Sequence, residues 1–449
     1  MPTSHPMVET CTAHVGDFPK DIVIDMAAQP REAGFRALWS RSWCAWIRDS
    51  LVLAYFLSGS PLYDQRLAIS PGVSLNQILA VSCLAMVALS IPFRSCSAPK
   101  TWATVGLVTV LTVLLAIRSV GSPSPEYARF KVLGHLLLIL PVLLYVQLNT
   151  RRPEEVIRYI KIYCFAASTM LLLSIPHMLS LQEGQRLAIL AGGPNVFARI
   201  IGTGALSSIL LFNLCSSKRR RRWIYLVGLP LAATAIILAG TKAVLAGMML
   251  AVMAMFSTGN LRQRSLRIAL LLLALSALPL LTHSRVRNLP KDGGIVRLLR
   301  LPDWDDPEGS FGSRLRYLGG SLEIIREAPW FGVGTGAWGP RSGLGNSESY
   351  PHNILVEILT ELGLVGLVLV CLPMVRFPRG DARAGVEARV LRFGLLGLVV
   401  FWLVNVQLSG DLVDSRSLWF FVLLFEIGSL GDRTPAKASG AAGHATRGS

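Results

Sequence analysis

The chain is a succession of apolar runs of membrane-crossing length, joined for the most part by short connections that carry arginine and lysine. A bilayer core is roughly 30 Å thick and takes about 20 helical residues to cross. In lipid every backbone N–H and C=O has to be satisfied inside the protein, so runs of this kind read as membrane helices. The expected spans are Trp46–Tyr63, Val73–Phe93, Thr101–Arg118, Phe130–Leu148, Ile157–His177 and Leu187–Cys215, followed by Trp223–Ala239, Lys242–Phe256, Ile268–His283, Asn353–Val375, Leu391–Leu408 and Leu418–Leu430. The predicted fold class is all-α: a polytopic membrane protein of about twelve helices. Several spans are short or interrupted by Gly and Pro, which is tolerable only where neighbouring protein or a wet cavity satisfies the backbone.

Composition agrees. Hydrophobic residues make up 52% of the 449 and charged ones 16%, with a mean hydropathy of +0.50. Soluble domains carry about 25% charged residues. A net charge of +17 would suggest nucleic acid in a soluble protein. Here Lys and Arg gather in connections between apolar runs, as cytoplasmic loops require, and no nucleic-acid module is recognisable. The seven cysteines are scattered singly, which argues against a disulfide framework and a zinc site. Residues 1–40 lack a basic stretch followed by an apolar core, so the first span is expected to act as its own insertion signal.

Basic residues set the orientation. Arg94 and Lys100, Arg151 and Arg152, Lys218–Arg222, Arg262 to Arg267, and Arg376 to Arg389 fall on alternate connections. The intervening Gly121–Pro125 and Ser409–Ser415 carry almost no positive charge, so the basic set and both termini are assigned to the cytoplasm. Three regions follow: a flexible cytoplasmic segment 1–45, a transmembrane domain 46–431, and a disordered cytoplasmic tail 432–449. One connection is long, Ser284–Pro351 on the periplasmic side, with Trp304, Trp330, Trp338 and many Gly and Pro. It is expected to hold short helices and to be functional.

That loop ends in Arg326-Glu-Ala-Pro-Trp-Phe-Gly-Val-Gly-Thr-Gly-Ala-Trp338 and enters the next helix through Tyr350-Pro-His-Asn-Ile-Leu-Val-Glu-Ile-Leu-Thr-Glu-Leu-Gly-Leu-Val-Gly366. A PxxGxGxG turn, a spacer, then HN opening a helix that reads ExGxxG resembles the O-antigen ligase and polymerase superfamily. These are membrane glycosyltransferases that move glycans from an undecaprenyl-diphosphate carrier. The resemblance covers about Ala188 to Leu430 and includes Gly192-Gly-Pro-Asn-Val-Phe-Ala198 and Ser313-Arg-Leu-Arg-Tyr317. Ala239-Gly-Thr-Lys-Ala-Val244 departs from it, with a lysine where the family commonly has arginine.

The resemblance implies a metal-independent enzyme without a cofactor, in the bacterial inner membrane, with its site facing the periplasm. His352 would be the general base, a role suited to an imidazole at a wet helix mouth. The plainer reading is a solvated helix-entry histidine, and His177 and His283 also lie near the outer face. Arg314 and Lys242, with Arg316 in reserve, would hold the diphosphate, and Asn353 and Asn195 would position sugar or backbone. Lysine binds phosphate as a point charge rather than as a fork, so a strictly geometric role at position 242 is in question. A cation at the start of an apolar run also needs a partner or must reach outward.

Gly332–Gly336 lacks the spacing and the strand–helix setting of a nucleotide loop and reads as a tight turn. Asp303–Glu308 lacks the register of a calcium loop. Glu357 and Glu361, four residues apart, share a helix face and are expected to pair with basic groups inside the bundle. The partners implied are the lipid-linked glycan donor, a glycan or lipid-linked acceptor, the bilayer, and other proteins of envelope polysaccharide assembly. Rival readings are a transporter or flippase of lipid-linked saccharides, which broken helices and buried charge also fit, and an inactive relative.

Overall fold

The computed structural model describes residues 42–59, 67–91, 102–182, 185–189, 193–215, 223–255, 310–344, 349–375 and 385–430. The chain forms two compact units, Met1–Ala45 and Trp46–Ser449; only the end of the first lies among the described residues. The account below concerns the second.

Helices occupy each expected apolar run that falls among the described residues; Ile268–His283 lies outside them. In chain order they are α1 (Ser42–Ser58), α2 (Leu75–Ser90), α3 (Trp102–Arg118), α4 (Pro125–Leu133), α5 (Leu140–Asn149), α6 (Pro153–Leu173) and α7 (Ile175–Leu179). The series continues with α8 (Pro194–Leu214), α9 (Ile224–Val227), α10 (Leu229–Ala239) and α11 (Lys242–Met255). After the long connection come α12 (Ser310–Glu327), α13 (Trp338–Arg341), α14 (Ile354–Val375), α15 (Val386–Ser409) and α16 (Arg416–Leu430). A small antiparallel pair, β1 (Ala68–Ser70) and β2 (Val73–Ser74), precedes α2.

Among the described residues, five continuous helical stretches are long and apolar enough to cross a membrane: Pro125–Asn149, Pro153–Leu179, Pro194–Leu214, Ile354–Pro373 and Val386–Ser409. The first contains a π-helical turn, Gly134–Ile139, between α4 and α5. Boundaries differ from expectation where proline intervenes. The run from Leu187 does not start a helix, because Pro194 does so at the first-turn position where its missing N–H costs nothing. Likewise Trp223–Ala239 is two helices parted at Gly228, with Pro230 opening the second.

Helices cross closely where side chains are small. Gly204 of α8 lies against Ala167 of α6, Gly397 of α15 against Ala251 and Met255 of α11, and Gly394 against Leu210 of α8. In lipid, where apolar burial between helices drives little, such close backbone approach supplies the packing attraction. Tyr159 and Tyr163 of α6 and Trp419, Phe420 and Phe421 of α16 fill the centre, with the Phe56 and Phe420 rings 5.0 Å apart.

In the long connection the described residues are 310–344 and 349–351. Its helix α12 turns Tyr317, Ser321 and Ile324 inward onto Trp338. Trp338 Nε1 donates to Ser321 Oγ at 2.8 Å, and its ring meets Tyr317 edge-on at 5.6 Å. A buried indole needs such an acceptor, so this contact fixes how α12 sits on the glycine turn.

Candidate functional site

The glycine turn is seated in a break of α14. Gly363 has φ +67° inside that helix, and around the break the helix ladder is replaced by bonds to the turn. Val333 and Gly334 N–H donate to the Thr360 and Glu361 carbonyls at 2.8 and 3.0 Å. Leu364 and Val365 N–H donate to Pro329 and Trp330 at 2.9 and 3.2 Å. A Cβ at Gly332 would overlap the Glu361 backbone, and one at Gly363 the Trp330 backbone. The glycines of the two motifs are therefore matched to each other: each lets the other's main chain approach. Arg118 closes the far side, with Nη2 donating to the Gly332 carbonyl at 2.8 Å and its own carbonyl accepting from Thr335 N–H.

Upstream of that break, α14 begins two residues after the histidine. His352 has φ +56°, the only positive φ of a non-glycine among the described residues. Such backbone is uncommon for a side-chain-bearing residue and persists only where its surroundings enforce it. Asn353 does so by capping: its Oδ1 accepts from Val356 N–H at 3.0 Å while its Nδ2 donates to the Gln407 carbonyl at 3.0 Å. The imidazole lies between two phenol rings, Tyr350 at 4.4 Å and Tyr317 at 5.8 Å. His352 and Asn353 are half-buried and Pro351 is buried.

Asn195, the second residue of α8, reaches the same end of α15. Its Nδ2 donates to Ser409 Oγ at 2.9 Å, two residues beyond Gln407. Its Oδ1 accepts from Thr241 Oγ1 at 3.3 Å and from Arg186 Nη2 at 3.2 Å. Lys242 follows Thr241 directly and is exposed at the start of α11, after the left-handed Gly240 that ends α10. Arg186 Nε in turn donates to the Ala239 carbonyl at 2.9 Å. The end of α15 therefore gathers the Asn353 and Asn195 segments, and Lys242 comes with the latter.

Arg314 and Arg316 are both exposed on α12. Arg314 stands three residues before Tyr317, the residue that meets His352, so the two share a face. Arg316 is Tyr317's immediate neighbour and points elsewhere around the helix.

Several charged groups at the site escaped sequence reading. Lys131 of α4 is fully buried and pairs with both Glu357 and Glu361, its Nζ 2.7 Å from each Glu361 oxygen. The glutamates thus have the basic partner that their spacing demanded, though nothing marked it as Lys131. The Lys131 ammonium also sits 4.5 Å from the Tyr127 ring, which stacks 6.5 Å from Tyr350. Tyr127 OH donates to Asp411 Oδ2 at 3.3 Å, and Asp411 Oδ1 accepts from Asp414 N–H at 2.7 Å. Burial, followed by the like charge of Asp414, pushes the Asp411 carboxyl up to about 6. Burial likewise raises the Tyr350 phenol. The one available signal was the acidic pair Asp411 and Asp414 in a connection otherwise free of charge until Arg416.

The opposite end of the long Pro125–Asn149 span carries a separate polar cluster. There Tyr145 OH donates to Asp49 Oδ1 at 2.6 Å and accepts from Arg48, and Arg158 pairs with Asp49. Eighteen residues of helix separate Tyr127 from Tyr145, about 27 Å of rise. The histidine site and this cluster therefore lie at opposite ends of one span. The acidic stretch Asp303–Glu308 and the basic loops at 218–222, 262–267 and 376–383 lie outside the described residues.

A helical membrane protein in which a glycine turn seated in a broken helix meets a His-Asn helix entry is the class that fold and site define. Residues 227–371 match the family model described as O-Antigen ligase, and the match supports the likeness of this stretch to the O-antigen ligase/polymerase superfamily. The matched stretch holds Lys242, Arg314, Arg316, His352 and Asn353; Asn195 precedes it. No curated protein matches the chain.

Proposed function

We propose that this protein transfers a glycan from an undecaprenyl-diphosphate carrier to the hydroxyl of an acceptor sugar at the outer face of the bacterial inner membrane. The acceptor is a lipid A-core sugar in a ligase and the end of another carrier-linked chain in a polymerase. His352 takes the proton of the acceptor hydroxyl as its oxygen attacks the anomeric carbon. A new glycosidic C–O bond forms on the face opposite the departing diphosphate, whose C–O bond breaks with inversion. Charge developing on the diphosphate is met by Arg314 and Lys242, without a metal. Arg316 lies one position off that face and is the lesser contributor.

The observation that carries this reading is the His352 turn. A histidine held at φ +56° by the Asn353 cap, flanked by two tyrosines, sits within the stretch that matches the O-antigen ligase family. A purely structural helix entry gains nothing from such backbone strain. The reading places about twelve spans in the membrane with both termini in the cytoplasm, and the site at the periplasmic surface.

The test is transfer in vitro by the purified protein, given undecaprenyl-diphosphate glycans and candidate acceptors in EDTA. His352→Asn tolerates positive φ but is not a base, so it is expected to fold and to lose about 10²–10⁴-fold in rate. Arg314→Ala should cost more than Arg316→Ala. Equal turnover by wild type and His352→Asn would remove the histidine from the mechanism. Transport of lipid-linked glycan without transfer would favour the flippase reading.

A further inference from the structure

Helix α12 has three faces. Tyr317, Ser321 and Ile324 are buried, toward Trp338 and the histidine. Arg316, Glu323 and Glu327 lie on the far side, all exposed, with Glu327 3.8 Å from Arg341. Between these faces runs a third set, Leu315, Leu318 and Leu322, spaced three and four residues apart and 43–51% exposed. The exposed Pro329 prolongs this strip, and Trp330 and Phe331 at its end are 64 and 59% exposed. Five large apolar side chains in one strip mark a surface with a partner.

The strip is continuous with the wall of a membrane span. α12 is pinned beside the outer half of α14 at both ends. Tyr317 meets the His352 ring at 5.8 Å, and the Pro329 and Trp330 carbonyls accept from Leu364 and Val365 N–H at 2.9 and 3.2 Å. α12 therefore descends along α14 from the histidine to the break. The ends of α8 and α15 meet at the level of the histidine, through Asn195–Ser409 and Asn353–Gln407, so that level marks the outer end of the bundle. From Ile354 to Leu362 the rise is about 12 Å, which places Trp330 and Phe331 that far down a stretch apolar enough to cross a membrane. Just there α14 itself exposes Leu364, Val365 and Val368. Arg118, which closes the glycine turn, has exposed Ile117 and Val120 beside it in the chain.

We propose that α12 and the glycine turn insert obliquely into the outer leaflet, with the strip Leu315–Leu318–Leu322 in the headgroup–acyl boundary and Trp330 and Phe331 deepest, against acyl chains. An amphipathic helix of this kind reaches about 5–10 Å into that boundary, and Trp favours the same depth. The occupant follows from continuity, because lipid covers the wall that the strip extends. Arg316, Glu323 and Glu327 face the wet side. Arg314, one turn outward of Leu318, then stands among headgroup phosphates; its contact with the carrier diphosphate rests on the glycan-transfer reading, whereas the insertion does not.

The test is photocrosslinking of the full-length protein in native membranes. Leu322, Phe331, Glu323 and Val368 are replaced one at a time by p-benzoylphenylalanine, irradiated, and the adducts identified by mass spectrometry. Lipid adducts are expected at 331 and 322, as at Val368 on the span wall, and far fewer at Glu323, the neighbour that faces away. Leu318 replaces Leu322 if that variant does not fold. Absence of lipid adducts at both 322 and 331, with Val368 showing that the wall below reacts, would overturn the proposal. So would crosslinks from the strip to a second copy of the chain or to another protein, or equal lipid yields at Leu322 and Glu323.

Discussion

The Lys131 ammonium lies 2.7 Å from both carboxylate oxygens of Glu361, 230 residues further along the chain, with neither side chain reaching solvent. Glu361 also offers its carbonyl to Gly334 N–H. One residue therefore joins α4, the break in α14 and the glycine turn, and Glu357 on the same face shares its cation. Removing one partner of a buried ion group costs more than replacing the whole group by neutral residues.

From that asymmetry, Lys131→Met should destabilise the protein by about 3–5 kcal/mol, because two carboxylates are left buried without a cation. Adding Glu357→Gln and Glu361→Gln to the same chain should recover much of the loss. Thermal unfolding in detergent separates the cases: an additive, still lower stability of the triple variant would mean that the group is not a closed ion cluster.

The interlocked glycines make a graded prediction. Gly332→Ala and Gly363→Ala each combine positive φ with overlap against backbone that has no room to shift, so both should fall below the stability needed for normal membrane yield. Gly343 has φ +71° but open space around it. Gly343→Ala should cost only the backbone term, about 1–2 kcal/mol. Folded yield by fluorescence size-exclusion chromatography ranks them, and similar yields from all three would contradict the seating of the turn in the helix break.

Asp411 predicts a pH dependence. Its carboxyl is raised to about 6 by burial and by Asp414, against an ordinary value of 3.8. The folded state therefore holds this proton more tightly than the unfolded chain does. The stabilisation is fully present below pH ~4 and is lost as pH rises through about 6. Asp411→Asn keeps a carbonyl for Tyr127 and does not titrate. Raising the pH from 5 to 7 should lower the melting temperature of wild type relative to this variant by a few degrees. A difference that stays constant with pH would show that Asp411 is not buried as a titrating acid.

The lesson for sequence reading lies in particular residues. His352, Asn353, Arg314 and Lys242 were legible because they sit inside a local pattern of turn glycines and a helix entry. Arg199 and Lys131 were not. Each is one cation in or beside an apolar run, and its meaning depends on Asp414 or on Glu361, more than 200 residues away. The glycines at 332 and 363 were each visible as turn or motif residues, but their mutual dependence was hidden. It arises from backbone atoms of separate segments occupying adjacent space.

What the sequence determined by itself was the solvent and the elements: apolar runs of membrane length partition into lipid and close their own hydrogen bonds as helices, a decision made within each run. The caps, the proline starts and the exposed Arg314 belong to that local level. Only the tertiary structure decided which charges meet. The Asn195–Ser409 and Asn353–Gln407 bonds and the Lys131–Glu357–Glu361 cluster exist because helix packing brings distant segments to one end of α15 and one face of α14. In a low-dielectric interior a charge or amide must find its partner wherever packing places one, and no local pattern records where that is.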